Sequence, residues 1–158
     1  MKKSFKDLVA FQRAIDLVAV VYEITREFPA DERFGLVSQL RRAAVGIPSS
    51  IAEGQGRLTF GEWRQHLSHA RGSLFEVEAQ FLAARRLHFI DDEGLAKVDA
   101  AIQGTGKALV GLIRWVMRKE RSTPQPRNLA TAQPVNAVPP TRSPCPPARA
   151  PQTPSRQP

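Results

Sequence analysis

The sequence predicts an all-α fold, an antiparallel up-down four-helix bundle followed by a disordered proline-rich tail. Three observations carry this. Apolar residues recur at alternating spacings of three and four in two consecutive segments: Val37, Leu40, Ala44, Ile47, Ile51, and then Trp63, Leu67, Ala70, Leu74, Val77, Phe81, Ala84. That spacing puts each set on one helical seam, the pattern of rods packed side by side. Breakers and caps divide residues 1–121 into four long stretches with short connections, which favours antiparallel neighbours. No stretch shows the period-two alternation of a half-buried strand.

The first helix is expected over Phe5 to Phe28, ending before Pro29. It carries two stripes, Leu8, Phe11, Ile15, Val18, Tyr22 and Leu17, Val21, Ile24, Phe28. A peripheral helix of a lone bundle needs only one, so the second points to burial against another subunit. The second helix is expected to start after Asp31 as N-cap and to end near Gly54 and Gly56. Pro48 inside it removes a backbone donor and predicts a kink near Ala44 to Pro48. The third opens with Thr59-Phe60-Gly61-Glu62, a capping box, and runs to about Leu87. The fourth starts at Asp91 or Asp92 and runs to about Arg121, with Leu95, Val98, Ile102, Leu109, Leu112 and Val116 as its seam. Gly104, Gly106 and Gly111 lie within it, each costing about 1 kcal/mol relative to alanine. Either the close approach of another helix offsets that cost or the helix frays locally.

Ser122 to Pro158 holds eleven of the thirteen prolines, no acid and no aromatic residue. Such a segment buries too little apolar surface to offset the entropy of ordering, so it reads as a disordered, polyproline-II-rich tail after a bundle domain at 1–121. Removing it is expected to leave the thermal midpoint nearly unchanged. The formal net charge is +8; without the tail's four arginines (Arg127, Arg142, Arg149, Arg156) the body keeps 19 Lys and Arg against 15 Asp and Glu, or +4. A positive balance suits nucleic acid, an anionic surface or an acidic protein. The sole cysteine, Cys145, excludes an intramolecular disulfide and a cysteine-based metal site. Lys6, Asp7, Arg13 and Asp16 interrupt any signal-peptide core, and no apolar run is long enough to span a bilayer. The expectation is a soluble cytoplasmic chain with no membrane partner.

Tests for chemistry are mostly negative. Gly104-Thr105-Gly106-Lys107 has the flavour of a phosphate loop, but Ala101 stands where the first glycine is needed and Ala108 where a hydroxyl is needed. Glu62, His66 and His69 share a helix face at metal-ligand spacing, yet di-iron bundles use paired Glu-x-x-His helices and no second copy exists. Ser73 follows Gly72 on a helix, outside the strained turn of a nucleophile elbow. No catalytic residue, cofactor or metal ligand is assigned.

The arginines give the stronger signal. Arg57, Arg64, Arg71 and Arg85 follow a seven-residue register beside the third helix's seam, with Glu78 in the gap. Lys107, Arg114 and Arg121 form a second rank on the fourth helix, away from its seam, joined by Arg118 and Lys119. Ranks of cations can neutralise successive phosphates with strongly salt-dependent binding. Cations beside a seam also form inter-helix ion pairs, which favours a structural role for the first rank. Few acids flank the second, which favours a ligand. The candidate nucleic-acid contacts are Arg64, Arg71, Arg85, Lys107, Arg114, Arg118 and Arg121. No aromatic stacking platform of the RNA-binding kind is evident, so backbone and shape would be read rather than bases.

Three stretches then resemble a known family. Gln39-Leu40-Arg41-Arg42-Ala43-Ala44-Val45-Gly46-Ile47-Pro48, Ile51-Ala52-Glu53-Gly54-Gln55-Gly56-Arg57 and Ala70-Arg71-Gly72-Ser73-Leu74 are similar to the four-helix-bundle proteins encoded in intervening sequences of bacterial 23S ribosomal RNA genes. Asp7 to Ala14 and Phe28-Pro29 fit the same family's first helix, so the likeness spans about Phe5 to Arg118. The resemblance implies an all-helical subunit, a ring-like homopentamer and no known enzymatic activity. The chain is also similar to accessory proteins of diversity-generating retroelements, which implies nucleic acid and a reverse transcriptase as partners. Phe11 stands where tryptophan is common, Gly46 where serine is and Ser50 where asparagine is. Read physically, Gln39, Arg41, Arg42, Glu53 and Arg57 form a structural polar cluster around kink and turn, with Arg41, Arg42 and Arg71 as candidate partners of Glu53. Three functions remain in order: a non-catalytic oligomer that binds RNA or DNA, a protein-interaction scaffold, and, distantly, an enzyme or metal protein.

Overall fold

A computed structural model describes residues 4–123. The expected disordered tail lies outside the described residues but for Ser122 and Thr123. Four α-helices follow in order: α1 (Val9–Ile24), α2 (Leu36–Gln55), α3 (Phe60–Arg86) and α4 (Asp92–Ser122), with no strand among the described residues. Each packs on two others, so that α1 meets α2 and α4, and α3 meets α2 and α4. Leu17 and Val21 of α1, Leu40, Ile47 and Ile51 of α2, Leu67, Val77 and Phe81 of α3, and Val98, Leu109 and Val116 of α4 are fully buried between them. Phe28, just after α1, closes one end edge-on to Phe81 at 6.4 Å and tilted against Phe89 at 5.8 Å. Among the described residues no helix is long and apolar enough to cross a membrane.

The first two boundaries differ from the sequence expectation, for local reasons. Ser4 and Asp7 form a capping box that closes a 3-10 turn at Phe5–Asp7, and extended backbone at Leu8 separates this turn from α1. At the other end the buried Thr25 hydroxyl donates to the Val21 carbonyl at 2.7 Å, satisfying an end carbonyl. Asp31 is not the cap of α2. Pro29 leads into a 3-10 turn over Ala30–Arg33, and the N-cap position falls at Gly35. The Glu32 carboxylate instead reaches forward to accept from the Leu36 N–H at 2.8 Å. Helix α2 runs unbroken through Pro48, which lacks the N–H that would meet the Ala44 carbonyl. Beside it the Ser49 hydroxyl donates to the Val45 carbonyl at 3.0 Å.

Thr59 and Glu62 make both halves of the capping box at the start of α3, and Asp91 caps α4 by accepting from the Gly94 N–H. Helix α3 ends in a Schellman turn: the Phe89 N–H bonds the Ala84 carbonyl at 2.9 Å and the His88 N–H bonds Arg85 at 3.2 Å. His88 occupies the left-handed position there, at φ 60°. Helix α4 is continuous through its three glycines. A Cβ at Gly106 would touch Leu74 at 3.5 Å, whereas Gly104 and Gly111 look onto open space. The Gly104-to-Lys107 stretch is thus helix and not loop, with Thr105 fully buried and its hydroxyl 2.9 Å from the Ala101 carbonyl and 3.1 Å from that of Arg13.

Candidate nucleic-acid interface

At about 100° per residue, Lys107, Arg114, Arg118 and Arg121 fall within about 60° of arc on α4, opposite Val98, Ile102, Thr105, Leu109 and Val116. The core fixes the helix's rotation, and that rotation turns these four cations outward. All four are exposed. At about 1.5 Å per residue the rank is about 21 Å long. Beyond Asp99 the only acid in α4 is Glu120. Glu120 sits on the flank facing α3, where its carboxylate accepts from the Arg64 Nε at 3.0 Å. The one acid in this half of α4 is therefore engaged across the helix interface. Among the described residues none of the four cations takes part in an ion pair.

The α3 rank is divided. Arg64 is held by Glu120, and the Arg85 Nε donates to Asp92 at 2.8 Å where α3 turns into α4. Exposed pairs of this kind add only about 0–1 kcal/mol, so their main effect is to remove net charge from that edge. Arg71 has no ion pair among the described residues and lines a groove with Arg64, Gln65, Ser68, Ile113 and Met117. Met117 also lines a second depression with Arg114, Arg118 and Arg121. Met117 thus separates the groove that holds Arg71 from the depression lined by Arg114, Arg118 and Arg121, and Arg85 stands apart from both at the other end of α3.

The proposed polar cluster of α2 does not exist as one group. The Arg41 Nε donates to the Thr25 hydroxyl at 2.9 Å and its guanidinium lies 4.7 Å from the centre of the Tyr22 ring, tying α2 to the end of α1. Arg42 bonds Gln39 and approaches Glu76 of α3 at 3.8 Å. Glu53 pairs with none of Arg41, Arg42 and Arg71. Its carboxylate meets the His66 Nδ1 at 3.4 Å, and the Arg57 Nε donates to the His66 Nε2 at 2.8 Å. Because Nε2 accepts, the imidazole proton sits on Nδ1, towards Glu53. Arg41 and Glu53 are twelve residues apart on one rod, about 18 Å, which is why they cannot share partners.

The other chemistry candidates occupy structural places. Glu62 closes the capping box, where the Thr59 hydroxyl and then the Thr59 N–H hold its carboxyl below the ordinary range. The His66 and His69 rings are 6.1 Å apart, with His66 already engaged by Arg57 and Glu53. Ser73 faces Gly46 between α2 and α3, 3.3 Å from where a Cβ on Gly46 would lie. Sequence reasoning missed Trp115, which is 38% exposed. It also missed Thr25 and Tyr22 as the seat of Arg41; only a tertiary register reveals them.

A family model described as 23S rRNA-intervening sequence protein matches residues 6–111. No curated protein matches the chain. The matched span reaches from the turn before α1 into α4 and stops at Gly111, short of Arg114, Arg118 and Arg121. It covers well over half of the sequence and all of α1, α2 and α3, and on that ground the chain belongs to the 23S rRNA-intervening sequence protein family.

Proposed function

We propose that this chain is a non-enzymatic up-down bundle that assembles with copies of itself in the cytoplasm and holds the phosphate backbone of structured RNA, or of another nucleic acid, on α4. One observation carries the binding: Lys107, Arg114, Arg118 and Arg121 form an outward rank without an ion pair among the described residues, while Arg64 and Arg85 are neutralised. The bundle topology is supported by pairings in which one helix's start meets its neighbour's end, Arg64 with Glu120 and Lys97 with Glu23. A homopentamer is the assembly that the family resemblance implies. Its support here is the α1 stripe, on which Ile15 and Tyr22 remain exposed. The non-enzymatic reading is supported by the structural engagement of Glu62, His66 and Arg57.

The test is titration of labelled duplex RNA with full-length protein at two salt concentrations. Four phosphates neutralised on a duplex give a slope of log K against log salt near about −3.6. Arg114→Ala with Arg118→Ala should weaken binding at every sequence and flatten the slope by about 1.8. Absence of binding at low salt overturns the reading. The alternative, a scaffold for a partner protein such as a reverse transcriptase, is favoured by a different face: Phe75 and Leu82, one heptad apart on α3, are 59% and 55% exposed. In that case mutation of Phe75, and not of Arg114, abolishes partner capture.

A further inference from the structure

The end of α4 carries an aromatic ring that the fold does not require to be exposed. Trp115 stands edge-to-face with Trp63 at 5.7 Å and with Phe60 at 6.3 Å. These two residues, on the first turn of α3, hold the indole in one orientation. The Lys119 ammonium lies 5.9 Å from the ring centre. Lys119 is an exposed, flexible side chain, so among the described residues the face it overlies is closed by nothing rigid. Four residues before Trp115, on the same side of the helix, Gly111 leaves open space where a side chain would otherwise stand. The pairing of Thr105 with the Arg13 carbonyl explains why no helix among the described residues covers this flank: α1 begins at Val9, and α4 runs on past it. Arg118, three residues after Trp115, belongs to the free cationic rank.

We propose that Trp115 is a stacking platform for one unpaired nucleobase at the end of the α4 rank. This rests on the reading of α4 as a nucleic-acid surface and specifies its ligand: a single-stranded segment, alone or adjoining a duplex. The base lies on the indole in the bay over Gly111, the Lys119 ammonium moves from the ring to a neighbouring phosphate, and Arg118 and Arg114 take the next phosphates. Stacking on a tryptophan is sequence-tolerant because every base has a π face, so the platform selects for strandedness and not for sequence. Preorganisation by Phe60 and Trp63 keeps the cost of fixing the ring low.

The experiment uses full-length protein, a short single-stranded RNA of mixed sequence, the blunt duplex of that RNA, and an abasic strand of equal charge. Binding is followed by anisotropy of the labelled nucleic acid and, separately, by tryptophan emission. The single strand should quench emission, and the abasic strand should bind without quenching. Trp115→Leu should weaken single-strand binding about tenfold and leave duplex binding and its salt slope unchanged. Gly111→Leu fills the bay beside the indole while keeping Trp115 and its packing on Phe60 and Trp63, and should give the same loss, which guards against a folding defect in Trp115→Leu. Single-strand binding with unquenched emission, or with full affinity in Gly111→Leu, overturns the platform and leaves the cationic rank standing. No anisotropy change with any probe at low salt overturns both.

Discussion

Replacing Gly54 by alanine should destabilise the bundle, whereas the same replacement at Gly104 or Gly111 should stabilise it. All three lie inside helices, where alanine is favoured over glycine by about 1 kcal/mol. Packing sets the sign. A Cβ on Gly54 would lie 2.5 Å from Trp63 Cδ1, 3.2 Å from Trp63 Nε1 and 3.0 Å from His66 Cβ. Carbon atoms in contact prefer about 3.5–4.0 Å, so the overlap is about 1 Å against a ring already fixed by Phe60 and Trp115. Overpacking of this kind costs about 1–3 kcal/mol, which after the propensity gain leaves Gly54→Ala about 0–2 kcal/mol less stable. At Gly104 and Gly111 a Cβ meets nothing within 4 Å, and each substitution should gain about 0.5–1 kcal/mol. For a domain of this size 1 kcal/mol moves the thermal midpoint by about 4 °C. Differential scanning calorimetry on the three variants therefore separates them in direction as well as size. A midpoint for Gly54→Ala raised as far as that of Gly111→Ala would refute the close seating of Trp63. A lowered midpoint for Gly111→Ala would refute the open flank of α4.

His88→Gly should raise the denaturant midpoint by the equivalent of about 0.5–1 kcal/mol, because it relieves a left-handed φ that costs a non-glycine residue about 1 kcal/mol or more. An unchanged midpoint would remove the Schellman assignment. Thr105→Val keeps the buried shape and loses the hydroxyl's bonds, so it should cost about 0.5–1.5 kcal/mol in urea unfolding. For Glu62 the folded-state pKa is depressed, so its stabilisation is present above the ordinary carboxylate pKa and is lost as pH falls through the lower folded value. Wild type should accordingly exceed Glu62→Gln in midpoint at neutral pH and converge with it under acid; a gap that persists below the carboxylate range would contradict the capping box as its source.

Much of the fold was legible because local chemistry fixes it. Thr59 with Glu62, and Asp91 with the Gly94 N–H, are short-range devices readable from four consecutive residues, and both stand in the structure. The seams of α2 and α3 were equally plain, since burial of Val37 through Ile51 and of Trp63 through Ala84 follows the helical period. Asp31 misled because two chemistries competed for the same stretch. Pro29 favours a tight 3-10 turn that absorbs Asp31, and the longer Glu32 side chain can reach the free Leu36 N–H from within that turn. The polar residues of α2 were illegible for another reason. Arg41 turns to the end of α1, while Arg42 and Glu53 turn to two places ten residues apart on α3, and only the packed register says which. Trp115 was passed over because its period assigns it to neither the seam nor the charged rank; its partners Phe60 and Trp63 lie more than fifty residues earlier.

The two arginine registers look alike in the sequence, yet the structure gives them different fates, and the difference comes down to where acids sit on the partner flank. Arg64 and Arg85 lie on the side of α3 that faces α4, within reach of Glu120 and Asp92. Lys107, Arg114, Arg118 and Arg121 lie on the side of α4 opposite its buried seam, so the same interface that neutralises α3 leaves this rank charged. Exchanging Glu120 for glutamine would free Arg64 beside Met117 and extend the cationic surface across the groove, strengthening a phosphate-bound complex. Reversing Arg64 to glutamate would weaken it through repulsion with Glu120 as well as through the lost cation. The family match takes in Lys107 and stops at Gly111, before Arg114, Arg118 and Arg121. The contrast makes a direct test: charge changes at Lys107, Arg114, Arg118 and Arg121 should control nucleic-acid affinity, and equivalent changes at Arg41 or Arg57, which are engaged by Thr25 and His66, should alter stability alone.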